Sequence, residues 1–153
     1  MTRRGRGSRA RDCRHRGGPK IRAMSKIDLH DLARSDGRFD VEAYAFVSQS
    51  LRHAAKLFNK DAATGTDRHL TAQQLVEGAL DLAVERFGLL ADLVLRSWGV
   101  RTSEDLGSVT FALIQHEVFT KQPTDRIEDF YAGPDFSLAV QERVHMRIQR
   151  HQA

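Results

Sequence analysis

Apolar residues recur at three- and four-residue spacing in four separate stretches of this chain, and each stretch begins just after a residue that caps helices. Behind Asp40 come Tyr44, Val47, Leu51, Ala54, Ala55 and Phe58; behind Thr71, with Gln74 three residues on, come Leu75, Val76, Ala79, Leu80, Ala83 and Phe87. Thr102 with Asp105 introduces Leu106, Val109, Thr110, Leu113 and Ile114, and Asp135 introduces Val140, Val144 and Ile148. Spacing near 3.6 puts each set on one face of a helix, whereas a half-buried strand needs period two. Leu89 to Trp98 adds a further apolar segment after a break at Gly88. The fold class is therefore mainly α, a compact helical domain of about five helices.

The residues between these stretches act as punctuation. Phe39 and Tyr44 stand at the N′ and N4 positions around Asp40, placed for a hydrophobic staple. In Ser97-Trp98-Gly99-Val100, Gly99 suits a left-handed C′ residue and Val100 the apolar C″ residue of a Schellman motif. Thr102 then caps the next helix, with Glu104 and Asp105 in its first turn, where the macrodipole favours acids. Neighbours on a helix project ~100° apart, so those two acids do not form a catalytic dyad by themselves. Further on, Pro123 suits the second position of a turn over 122–125, and Val118–Lys121 with Arg126–Tyr131 would flank it as one short β-hairpin. A small helix capped by Asp125 is the competing reading. With the hairpin, the arrangement is winged-helix-like at best, helix 102–116 standing as the recognition helix.

A chain of 153 residues suits one domain with a continuous core. Residues 1–23 carry nine of the 24 Lys and Arg but one of the 20 acids, so this segment is +8 and the remainder −4. Rich in Gly and Arg and almost free of apolar side chains, it reads as a disordered basic tail. Two explanations compete for it: an arm that attracts nucleic acid through its arginines, or a mis-assigned start upstream of Met24-Ser25-Lys26, which is favoured. Residues 24–38, with Ile27, Leu29 and Leu32 as the only apolar anchors, read as a lead-in with at most one short helical turn, and 39–151 as the single helical domain. No apolar run reaches the ~20 residues that cross a bilayer, so no membrane association is expected and the protein reads as cytoplasmic. Cys13 is the sole cysteine, which excludes an internal disulfide.

Positive signals for catalysis are lacking. The seven histidines show no HExxH spacing, and no phosphate loop, nucleophile elbow or GxGxxG occurs, so neither a metal nor a cofactor is expected from local motifs. His69 stands just before a helix N-terminus and is the most interesting of the seven. Glu77, Asp81 and Glu85 form an acidic ridge at i, i+4 and i+8, opposite the apolar arc, read as a solvated face. Arg143, Arg147 and Arg150 flank the last apolar stripe, where cations first complement the macrodipole. The candidate binding residues are His69, Trp98, Glu104, Asp105, Asp129, Arg143 and Arg147.

Tyr44-Ala45-Phe46-Val47, Arg68-His69-Leu70-Thr71 with Gln74-Leu75, Phe87-Gly88, Trp98-Gly99-Val100, Thr102-Ser103-Glu104-Asp105-Leu106-Gly107, and Glu128-Asp129-Phe130 with Asp135-Phe136 follow one another in that order. This string resembles a small uncharacterised family of bacterial cytosolic proteins over about residues 36–140. The resemblance implies a break at Gly88, since many members have proline where this chain has Leu89, and it implies no activity. Function is thus read as a non-enzymatic interaction module with a protein partner. The alternatives are a nucleic-acid- or ribosome-associated winged-helix-like protein, and a small enzyme using His69 with distant carboxylates such as Asp105 or Asp129.

Overall fold

Asp28 accepts a hydrogen bond from the His30 amide at 3.0 Å and so starts a helix, α1 (Leu29–Asp36), within the segment read as a lead-in. The computed structural model describes residues 28–153, apart from the side chains of Thr66 and Asp67. The expectations for residues 1–23, Cys13 included, lie outside the described residues. α1 closes at Gly37, whose left-handed backbone (φ 69°) lets its amide donate to the Ala33 carbonyl. Leu32 is buried against the main core, so the packed body begins earlier than residue 39. One leucine and two caps suffice, because the neighbouring helix supplies the surface on which α1 lies.

The other helices follow the sequence closely. Asp40 caps α2 (Val41–Leu57) through the Glu42 amide, and the Phe39 and Tyr44 rings meet edge to face at 6.3 Å, closing the expected staple. Thr71 and Gln74 form the capping box of α3 (Ala72–Phe87). Gly88, at φ 56°, ends α3 and opens a 3₁₀ turn (Gly88–Leu90) that leads into α4 (Ala91–Ser97). At its far end the Schellman motif is complete: Val100 N–H donates to the Leu95 carbonyl at 2.9 Å and Gly99 N–H to that of Arg96 at 3.0 Å, with Gly99 at φ 91°.

Thr102 caps α5 (Ser103–Gln115) with Asp105 as its reciprocal partner. The first turn of α5 is roofed by a 3₁₀ turn, Ile127–Phe130. Ser103 Oγ donates to the Phe130 carbonyl at 2.8 Å, and Gly107 leaves room for the Phe130 ring, which a Cβ there would meet at 2.7 Å. The turn over 122–125 forms, but its flanks do not pair, and no strand occurs among the described residues. The competing reading comes closer: a short helical turn does form, at Ile127–Phe130, but it is capped at Arg126, whose amide donates to Asp129, and not by Asp125. Alternation over five residues cannot outweigh the pull of Phe130 onto α5, where it also stacks edge to face on Phe111 at 6.4 Å. No wing stands beside α5 among the described residues, and Leu106, Val109, Thr110 and Leu113 turn into the core.

Asp135 caps α6 (Phe136–Gln152), whose Val140 and Val144 are buried while Ile148 is exposed, so its apolar stripe stops one turn earlier than the pattern suggests. α3 is the hub, packing against α2, α4, α5 and α6, and one apolar cluster runs from Leu32 to Val144 through Tyr44, Leu80 and Leu106. Each large side chain buried this way contributes about 1.5–3 kcal/mol. No described helix is long and apolar enough to cross a membrane.

Candidate functional site

Most residues singled out in the sequence turn inward to structural work. His69 Nε2 lies 2.7 Å from Asp125 Oδ1, and Asp125 also accepts the Gln122 amide at 2.8 Å, so this pair ties the loop before α3 to the loop after α5. The partner of His69 is thus neither Asp105 nor Asp129. Asp105 receives the Arg101 and Thr102 amides and Asp129 that of Arg126, each acid folded back on its own backbone. Glu104 is exposed. Trp98 packs against Phe46 of α2 at 5.5 Å and Phe87 of α3 at 5.9 Å. It also lines a shallow cleft of about 480 Å³ with Arg38, Arg96 and Arg101, which contains none of the other six candidate residues.

Around that cleft the polar groups are mostly engaged. Arg96 pairs with Asp92 at 2.9 Å, and Arg38 with Asp36 at 2.9 Å, while the buried Tyr44 hydroxyl donates to the other oxygen of Asp36. Burial alone would raise the Asp36 carboxyl, but the Tyr44 hydroxyl and the Arg38 guanidinium outweigh it and hold the group below its ordinary value. Burial and the same carboxylate push the Tyr44 hydroxyl well above its ordinary range.

The acidic ridge of α3 is solvated only at Glu85, while Glu77 and Asp81 are partly buried against other helices. Arg143 of α6 pairs with Glu77, and Arg147 binds the Asp81 carboxylate at 3.1 Å, so the two candidate cations of the last helix are spent on the chain's own acids. From the other side, His53 of α2 reaches Asp81 Oδ2 through Nε2 at 2.8 Å, with Nδ1 3.8 Å from Glu85 Oε2. Burial would raise Asp81, yet His53 and Arg147 together draw it below the usual value. His53, Asp81 and Glu85 bring three potential metal-ligand atoms within 4.8 Å of one another. The sequence carries two of the three members in the i, i+4 spacing of Asp81 and Glu85; placing His53 beside them requires knowing how α2 and α3 cross.

The 3₁₀ turn and the first turn of α4 carry leucines into solvent, beside the exposed Arg96 and Ser97. Leu89, Leu90 and Leu93 are 67%, 60% and 63% exposed, and their i, i+3 and i+4 spacing puts them on one face of the 3₁₀ turn and α4. α6 packs against both elements and also exposes Leu138, Met146 and Ile148. Single exposed leucines are ordinary, but three on one short helical face form a patch of the kind that marks interaction surfaces. Comparisons with protein-family models, curated proteins and solved structures match nothing.

Proposed function

We propose that the protein is a non-enzymatic interaction module that docks a partner protein on the face formed by Leu89, Leu90 and Leu93. The observation that carries this reading is the exposure of these leucines on one face immediately after the Gly88 break. Covering a leucine on binding contributes about 1.5–3 kcal/mol, so three adjacent ones supply an anchor of the size that interfaces concentrate in few residues. The internal engagement of His69, Asp105, Asp129, Arg143 and Arg147 supports the same reading, because the polar groups that a catalytic site would need are held in caps and cross-links. Membership of the bacterial family that the motif string resembles is part of this proposal and brings no activity with it.

The test pairs Leu89→Ser with Leu93→Ser in one variant. Both side chains are mostly in solvent, so the unfolding midpoint should stay within a degree or two of the parent. A protein that co-purifies in stoichiometric amount with the parent should be lost from this variant and retained by Glu104→Gln. Retention by the leucine variant would exclude this face as the docking site.

A further inference from the structure

We propose that His53, Asp81 and Glu85 bind a divalent first-row transition-metal ion across the α2–α3 seam. This goes beyond the docking face, which involves other residues. An imidazole nitrogen and two carboxylate oxygens make a mixed N/O donor set of the kind that zinc and its neighbours accept. Metal bonds of about 2.0–2.2 Å bring ligand atoms to roughly 3–3.5 Å of one another. The three potential ligand atoms already lie within 4.8 Å, with His53 Nε2 and Asp81 Oδ2 at 2.8 Å. Glu85 Oε2 now faces the other ring nitrogen, Nδ1, at 3.8 Å, so closing the set on Nε2 requires this side chain, 56% exposed and the freest of the three, to swing across the ring while the His53–Asp81 pair opens slightly.

One feature singles this cluster out from an ordinary ion pair. Arg147 binds Asp81 through Oδ1 and leaves Oδ2 turned to His53, the division of labour expected where an outer cation orients a ligating carboxylate. Acid should weaken binding, because protons compete with the ion for the imidazole and the carboxylates. With three protein ligands and an open, solvent-facing side, the ion would keep water in its remaining positions.

The experiment titrates the full chain with Zn²⁺ by calorimetry and with Co²⁺ by visible absorption, alongside His53→Ala, Glu85→Gln and Glu77→Gln. The expected result is one equivalent bound by the parent and by Glu77→Gln, with a raised unfolding midpoint. Glu85→Gln and His53→Ala should lose at least tenfold in affinity. Glu85 is exposed, so its variant keeps the test valid even if His53→Ala folds poorly. Binding that Glu85→Gln leaves unchanged would place the metal elsewhere, Cys13 and His15 being the obvious alternative donors, and would overturn the proposal. So would an absence of binding in the parent.

Discussion

Ala54 on α2 and Gly78 on α3 are in direct contact: a Cβ built at residue 78 would fall 2.8 Å from Ala54 Cα and nearer still to its Cβ. This close crossing lets His53, the neighbour of Ala54, reach Asp81, one turn along from Gly78. Gly78→Ala would ordinarily favour a helix by up to about 1 kcal/mol. Here overpacking should dominate, lowering stability by about 1–3 kcal/mol as read from the denaturant midpoint. Metal affinity in the same variant should fall with it, because the helices must separate.

The junction from α4 to α5 makes graded demands on its residues. Thr102→Ala should cost about 1 kcal/mol for the lost cap. Ser103→Ala should cost about 1 kcal/mol, since the Phe130 carbonyl loses its shorter hydrogen bond and keeps only the Gly133 amide at 3.3 Å. Trp98→Ala should cost on the order of 3 kcal/mol through its ring contacts, which join α4 to α2 and α3. Glu104→Gln should change stability by only a few tenths. Thermal unfolding of the four variants ranks them, and a large loss in Glu104→Gln would contradict the assignment.

Much of this was legible because it is local. The caps at Asp40, Thr71, Thr102 and Asp135, the staple of Phe39 with Tyr44 and the Schellman turn at Gly99 each lie within six residues, where spacing is geometry. What escaped depends on distant partners. Arg143 meets Glu77 across 66 residues of chain, His69 meets Asp125 across 56, and His53 meets Asp81 across 28. α1 escaped because its apolar anchor, Leu32, is buried only against another helix.

The end of α5 was legible too, at His116, although no glycine marks it. Glu117 adopts the left-handed conformation (φ 59°), and Val118 N–H donates to the Leu113 carbonyl at 2.9 Å, so a Schellman motif forms on a side chain that resists it. Glu117→Gly should therefore raise stability by up to about 1 kcal/mol, and Glu117→Val should lower it. Denaturant midpoints distinguish these, and a destabilised glycine variant would contradict the strain.

Stability should fall in acid. Asp36 and Asp81 both titrate below the ordinary 3.8 when folded, so the unfolded chain binds protons first as pH drops below about 4. Their contribution is present above that value and is lost as pH falls through the folded values. Tyr44 titrates above its ordinary 10.0, so its contribution is full below pH 10 and declines as pH rises beyond it. Asp36→Asn should flatten both limbs of a stability–pH curve. An unchanged acid limb in that variant would show that the carboxylate is not held as described.

Photo-crosslinking in the native cell tests the docking face most directly. A photoreactive amino acid placed at position 93 should give one discrete adduct with a partner protein. The adduct should disappear when Leu89 and Leu90 are changed to serine, and the same probe at position 104 should not form it. Adduct formation from position 104 but not 93, or from 93 regardless of the neighbouring leucines, would contradict a docking site on α4.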